Sequence, residues 1–376
     1  MSEKSIIEQL GTIGPLFVAI AAIMWSTDFW VRPILANAFG PTIYDAITLV
    51  FFEHIVALLC LLLFLFFYYF GNSSNKKKLD FSKLKSLTKL EAYSGIHIGL
   101  ASALGNIFFT EAIIYAALSS NFNSGFDQLL FVQKIQPVFA MLLAYYLLKE
   151  KFSWKFYVIL IPVILGGLFL VTFGQGSISI NFSNLTISIG NLWNIDYSTP
   201  SIIITLLALA AAFWWGTATV FGKILVQKVD HEMTTLIRYS VASVFLILLN
   251  IIFYPEFSSS VINASSTLSF VKLSELLLFI AVIPGVAPLF IYYFGLKNSK
   301  ASYATIAELA YPFSGVIINQ IYNHQSMYPM QWLGGIIIII AITWFSLNTF
   351  ATNKQKLNLE KSKIELQKDS MKYEIT

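Results

Sequence analysis

Two stretches carry the polar residues best placed to do chemistry in an otherwise apolar chain. In LLFVQKIQPVFAMLLAYYLLKEKFSW, residues 129–154, the apolar run is interrupted by Gln133, Lys134, Gln136 and Pro137. In TIAELAYPFSGVIINQIYNHQSMYPMQW, residues 305–332, the interruptions are Glu308, Tyr311 and Pro312. Setting Pro137 against Pro312 puts Gln133 opposite Glu308 and Gln136 opposite Tyr311. A proline lacks an N–H and clashes with the carbonyl four residues back, so the freed carbonyls are those of Gln133 and Glu308. In lipid such a break survives only where protein or a water-filled cavity satisfies the freed groups. The spacing therefore predicts that both stretches line one cavity, where Lys134 suits an anionic substrate group and Glu308 an ammonium or a coupling proton.

Further ionisable residues fall inside apolar runs, where each costs about 2.5–3.5 kcal/mol to insert. Asp28, Glu53, Glu111 and Lys134 lie toward one membrane face, Arg238 and Glu308 toward the other. Lys134 is expected to neutralise Glu53 or Glu111, and Arg238 to neutralise Glu308. Asp28 and Arg32, four apart, are expected to pair on one helix face. Static helix-locking bridges are the competing reading for Asp28, Glu53, Glu111 and Arg238. Trp25, Trp214, Trp215, Tyr115 and Tyr311 can stack on an aromatic or cationic substrate, Trp215 and Tyr311 foremost. His54 and His97 titrate near neutrality and can relay protons, or simply pack between helices. Pro284 and Pro288, beside Gly285, add a hinge to those at Pro137 and Pro312.

The elements that must hold these residues are membrane helices. The chain is 57% hydrophobic and 12% charged with a mean hydropathy of +0.71, whereas a soluble domain carries about 25% charged residues. Runs of the roughly 20 apolar residues needed to span a bilayer fall near 14–36, 45–70, 93–118, 127–148, 155–173, 201–226, 233–254, 272–296, 303–323 and 328–350. We number these spans 1 to 10. The first is too long for a cleavable signal peptide and reads as a retained span. With the N-terminus inside, the lysines at 76–89, 149–155, 223–228 and 297–300 and those of the tail are all cytoplasmic, leaving Arg32 and Lys272 on the outer side. Both termini are thus expected in the cytoplasm and the protein in the cytoplasmic (inner) membrane. The net charge of +4 is a topology signal and requires no nucleic-acid partner.

Residues 76–90 repeat an apolar residue at every third position among lysines, which suggests a helix lying on the membrane surface or a solvated loop. Residues 174–200 and 255–270 are expected to be external loops, and 351–376 a charged cytoplasmic tail. The external loops carry sequons at Asn181, Asn184 and Asn263, of a kind that Asn/Ser-rich segments also produce by chance. Cys60 is the single cysteine, so no internal disulfide or cysteine metal cluster can form.

The two halves repeat each other. MWSTDFWVRPILAN, 24–37, aligns with WWGTATVFGKILVQ, 214–227; Pro137 aligns with Pro312; and Gly166-Gly167 aligns with Gly334-Gly335. Five spans per half force opposite insertion, the inverted-repeat plan of secondary transporters. On these residues, with Glu150 after span 4, the chain resembles the EamA-type family of the drug/metabolite transporter superfamily over residues 14–350. The resemblance implies ten helices in two repeats, 14–173 and 201–350, joined by the 174–200 linker. It also implies exchange or proton-coupled movement of small metabolites, amino acids or amphipathic compounds. Arg238 matches the basic residue usual in the second helix of a half, whereas the first half has Glu53-His54.

The expected function is therefore secondary export or exchange of a small molecule by alternating access, without a cofactor or metal, by a monomer or homodimer embedded in membrane lipid. A flippase for lipid or lipid-linked headgroups on the same fold is the alternative. A membrane-embedded enzyme would need paired ligands such as H-E-x-x-H or a Ser with a base at depth; Glu53-His54 has no second histidine at that spacing, and the four histidines lie on different spans or at ends. A channel would call for charge rings contributed by an oligomer. If Lys134 and Glu308 bind substrate or proton, replacing either with a neutral isostere abolishes transport at unchanged expression; transport surviving both changes would remove them from the site.

Overall fold

A computed structural model describes residues 13–70, 80–118, 135–150 and 199–322 continuously. It also describes 129–130, 132–133, 178–181 and 186–189, and single positions at 161, 333, 336–337, 340 and 344. Lys134, Asn184, Gly166-Gly167, Gly334-Gly335, the lysines at 76–78 and the 351–376 tail lie outside the described residues, as do most of spans 5 and 10.

Among the described residues, six helices are long and apolar enough to cross a membrane: Gly14–Phe39, Ile43–Tyr69, Lys89–Leu118, Ile202–Lys228, His231–Ile252 and Phe270–Lys297. They correspond to spans 1, 2, 3, 6, 7 and 8, and the chain is a polytopic membrane protein. Span 1 is two helices, α1 (Gly14–Trp25) and α2 (Asp28–Phe39). The Ser26 and Thr27 hydroxyls between them bond back to the carbonyls of Ile23 and Met24 at 2.6 and 2.8 Å, offering the backbone an alternative to the helical ladder. α3 (Ile43–Phe70) is continuous. Its Leu59, Leu63 and Phe67 are exposed, as a lipid-facing surface requires. After the single turn α4 (Ser82–Lys85), α5 (Lys89–Leu118) is the most buried of the six.

Span 4 is described from α6 (Gln136–Leu147), with Pro137 in its first turn, where a missing N–H costs nothing. α7 (Thr199–Lys228) and α8 (His231–Ile252) follow. Span 8 divides into α10 (Phe270–Ala281) and α11 (Ala287–Lys297) around a π-helical turn at Val282–Val286. That turn holds Pro284, and Pro288 sits in the first turn of α11. Span 9 breaks between α12 (Ala301–Ala307) and α13 (Ala310–Tyr322) at Glu308. The Glu308 carbonyl, which Pro312 leaves without a helical donor, accepts Tyr311 N–H at 3.0 Å.

Two segments expected to be loops have structure. Residues 254–267 form α9 (Tyr254–Thr267), docked on α2 and α3, where Ser260 Oγ donates to Asp45 Oδ1 and Phe257 packs against Phe51 and Phe52. Its serines and threonine obscured the helix, which forms because its tertiary partners outweigh weak propensity. Within 174–200, β1 (Ile178–Asn181) and β2 (Thr186–Ile189) pair as an antiparallel hairpin. Of 76–90, the described part contains the α4 turn alone.

Packing is dominated by contacts between halves. α5 lies along α7, α1 along α11, α3 along α8, and α6 against α12. Small residues allow the approach: a Cβ on Gly105 would come within 2.3 Å of the Trp215 indole, and one on Gly216 within 2.7 Å of the Gln136 carbonyl. At one end of the bundle, Asp230 accepts from Lys83 at 3.2 Å and from Lys297 at 3.4 Å. There too Glu150 accepts from the N–H groups of Ala301 and Ser302 at 2.8 and 3.2 Å and from Ser302 Oγ at 2.6 Å, capping α12 from the other half.

Burial pushes the Asp230 carboxyl up, but the hydrogen bonds and charge of Lys83 and Lys297 outweigh it and hold the group below the ordinary aspartate range. A depressed carboxyl stabilises the fold above the unfolded-state pKa, and that contribution is lost as pH falls through the folded value. In detergent melts, the wild-type midpoint should therefore fall more steeply on acidification below the ordinary aspartate range than that of Asp230→Asn. Parallel curves would show that the cluster contributes nothing.

Candidate functional site

The broken helices surround a cavity holding about 810 Å³ of empty space, part of it open to solvent. Its walls draw on both halves: Trp25, Asp28 and Arg32 from span 1, Glu53 and His54 from α3, Ser102 and Asn106 from α5, and Gln136 from α6. From the second half come Trp215 and Thr219 of α7, Arg238 and Tyr239 of α8, Pro284 and Tyr292 of span 8, and Glu308 and Tyr311 of span 9.

Three polar networks furnish it. In the first, Arg32 is 2% exposed and fully engaged. Its Nε donates to Asp28 Oδ2 at 2.6 Å, Nη1 to Thr110 Oγ1 at 2.8 Å and Nη2 to Glu53 Oε2 at 2.9 Å. Asn106 Nδ2 donates to the other Glu53 oxygen at 3.0 Å. The pairing expected from the Asp28/Arg32 spacing is present. The partner of Glu53, however, is Arg32, one helix away, and the expected pairing with Lys134 lies outside the described residues.

The second network surrounds Glu308, 8% exposed at the break of span 9. Its carboxyl accepts from Thr219 Oγ1 at 2.9 Å, from Tyr292 OH at 2.8 Å and from Gln136 Nε2. The two proline-broken stretches thus meet directly, Gln136 of one reaching Glu308 of the other. All three donors are neutral. The Arg238–Glu308 ion pair expected from the sequence is absent, because no cation of the described residues stands within 4.0 Å of Glu308.

The third network holds Arg238. Its Nε donates to Ser102 Oγ at 3.1 Å and its Nη1 to Tyr293 OH at 3.3 Å. His54 Nε2 lies 3.1 Å from the same Ser102 oxygen, and His54 Nδ1 lies 2.9 Å from the Val50 carbonyl.

Aromatic rings line the cavity in two pairs. Trp25 lies 5.1 Å from Tyr292, centroid to centroid, and Trp215 lies 6.5 Å from Tyr311. Of the residues singled out in the sequence, Trp25, Asp28, Arg32, Glu53, His54, Gln136, Trp215, Arg238, Pro284, Gly285, Glu308 and Tyr311 line this cavity, and Lys134 is not described. Glu111 and Gln133 are buried elsewhere, at 5% and 4% exposure, and Glu111 Oε2 and both Gln133 amide atoms have no hydrogen-bond partner among the described residues. Pro137 and Pro288 are buried in the first turns of their helices and do not line the cavity. Thr219 and Ser102 gave no signal in sequence, since a Ser or Thr hydroxyl on an apolar helix usually bonds its own backbone, and Tyr292 is one of 18 tyrosines. Among the described residues no group of three His, Cys, Asp or Glu side chains could hold a metal.

A helical membrane protein with a polar, aromatic-walled cavity at broken helices has the architecture of a small-molecule transporter. The comparisons make the class specific. Residues 12–173 and 202–347 match the EamA-like transporter family model, and the chain belongs to that family: it is a transporter, not an enzyme. It is similar to the riboflavin transporter ImpX of Fusobacterium nucleatum, 28% identical over 331 residues that cover 88% of this chain and 96% of that protein. A solved crystal structure shares the fold with a TM-score of 0.56 at 13% identity, over 89% of this chain and 98% of the other.

Removing one partner of a buried ion network leaves uncompensated charge and costs about 3–5 kcal/mol. Arg32→Met should therefore lower the thermal midpoint and the monodisperse fraction in detergent sharply. Adding Glu53→Gln to Arg32→Met should recover part of the loss by removing one stranded carboxylate; no recovery would mean that the two side chains are not energetically coupled.

Proposed function

We propose that this chain is a secondary transporter, an exporter or exchanger, that carries a flavin-sized aromatic metabolite by alternating access and couples transport to a proton at Glu308. The cavity carries the reading. It combines planar aromatic walls with carboxyl, amide and hydroxyl groups where three of the described spans are interrupted. The similarity to a riboflavin transporter supports the substrate class. Glu308 is the coupling candidate because its surroundings are neutral donors that accommodate either protonation state with little rearrangement, whereas Asp28 and Glu53 are held by Arg32.

The moving parts we propose are two inverted halves, 14–173 and 201–350, joined by 174–200 and completed as ten spans. The packing supports this. Pairing span 3 with 6, 1 with 8, 2 with 7 and 4 with 9 is unchanged when each span is exchanged for its counterpart in the other half. Both termini facing the cytoplasm, in the inner membrane, is supported by the joining of segments expected on one side. Lys83, Asp230 and Lys297 meet at one end, as do Glu150 and Ser302, while Asp45 meets Ser260 elsewhere. The breaks in spans 1, 4, 8 and 9, with Pro137, Pro284, Pro288 and Pro312, are the proposed hinges.

Purified protein should quench riboflavin fluorescence on titration, and proteoliposomes should accumulate riboflavin under an imposed pH gradient. In Glu308→Gln, accumulation driven by the gradient should be lost while counterflow exchange persists. Riboflavin failing to bind, when another metabolite raises the melting midpoint, would overturn the substrate class. Gradient-driven accumulation in Glu308→Gln would overturn the coupling role.

A further inference from the structure

Two arginines face the cavity, and their hydrogen bonding differs in kind. Arg32 has all three nitrogens engaged and two carboxylates for its single charge. Arg238 has two nitrogens engaged, both by neutral hydroxyls, and no carboxylate of the described residues within 4.0 Å. A guanidinium carries five N–H donors, so Arg238 keeps three to spare while lining the cavity.

The tether on Arg238 also sets its direction. The Val50 carbonyl can only accept, so His54 Nδ1 bears the proton and Nε2 is a bare acceptor. Ser102 gives its own proton to that Nε2, which leaves its oxygen to accept from Arg238 Nε. The relay runs one way, from Arg238 through Ser102 to a neutral imidazole. It orients the guanidinium without compensating its charge. Desolvating a cation without a counter-charge is costly, and a ligand that supplies acceptor oxygens relieves that cost on binding.

We propose that Arg238 is the residue that anchors the ligand, gripping coplanar carbonyl or imide oxygens at the edge of a fused heteroaromatic ring system. A planar guanidinium matches planar paired acceptors, and the rings of Trp25, Trp215 and Tyr311 supply flat surfaces in the same cavity. Hydroxyl groups of the ligand go instead to the Glu308 pole, where Gln136, Thr219 and Tyr292 already form a hydrogen-bonding cluster. This assignment rests on the flavin-class reading above and deepens it by orienting the molecule, ring edge to Arg238 and sugar-alcohol chain to Glu308.

The test compares riboflavin with lumichrome, which has the ring and lacks the hydroxylated chain, by fluorescence quenching in detergent. Arg238→Met should weaken both compounds by a similar factor, roughly 10–100-fold, the loss of a charge-assisted hydrogen bond. Arg238→Lys, which keeps the charge and loses the fork, should weaken both by a smaller but measurable factor, and it decides the matter if the methionine variant does not fold. Glu308→Gln should weaken riboflavin more than lumichrome. Wild-type affinity in both Arg238 variants, with riboflavin still bound by the parent, overturns the anchor alone. Loss of riboflavin but not lumichrome in Arg238→Met reverses the orientation and overturns it too. Failure of the parent to bind either compound removes the substrate class, and this inference with it.

Discussion

The structure depends on dehydrated charge finding partners at membrane depth. Three carboxyls and two guanidiniums line one cavity, and each must find its partners in protein or in the cavity because the hydrocarbon around the bundle offers nothing. Apolar side chains do not drive helices together in lipid, since the tails are as apolar as leucine; interhelical hydrogen bonds and close packing do. Arg32 ties span 1 to α3 through Glu53 and to α5 through Thr110. Glu308 ties span 9 to α6, α7 and α11. Arg238 ties α8 to α5 and α11. Together these networks engage every described span, so the arrangement of the bundle and the construction of the site are one problem solved by the same residues.

The broken helices follow from the same constraint. A continuous helix consumes its own backbone donors and acceptors, so reaching a substrate at mid-membrane requires interruptions, and interruptions are tolerated where a polar cavity receives the freed groups. Ser26-Thr27, Pro284 and Glu308 each mark one, and all three regions border the cavity. Glycine then closes the gaps: Gly105 admits the Trp215 ring against α5, and Gly216 admits α7 against the start of α6. Both close approaches join one half of the chain to the other.

The two arginines illustrate how one residue type serves two purposes. Arg32, bonded through all three nitrogens with two carboxylates beside it, ties three spans together, while Arg238 is held by two neutral hydroxyls, one of them backed by His54. Glu308 stands between these extremes, hydrogen-bonded but uncompensated. The family assignment establishes transport; the three groups differ in how far the described residues satisfy them, and the proposed roles of Arg238 and Glu308 rest on that difference.

Much was legible from the chain alone. Composition and run length required a polytopic membrane protein, and the aligned prolines selected Gln136, Glu308 and Tyr311, which do meet in one cavity. The i, i+4 spacing of Asp28 and Arg32 gave their pairing, because a helix places such residues together regardless of what surrounds it. Which distant charge completes a network is another matter. Glu53 is bonded by Arg32 from another helix, Arg238 goes to hydroxyls instead of Glu308, and Gln133 is buried apart from the cavity that its neighbour Gln136 lines. The helix at 254–267 was likewise hidden, since its sequence is poor in helix formers and its order comes from docking on α2 and α3. Local periodicity and backbone chemistry act within a segment and can be read from it. Partner choice depends on which helix faces which and at what depth, and only tertiary packing decides that.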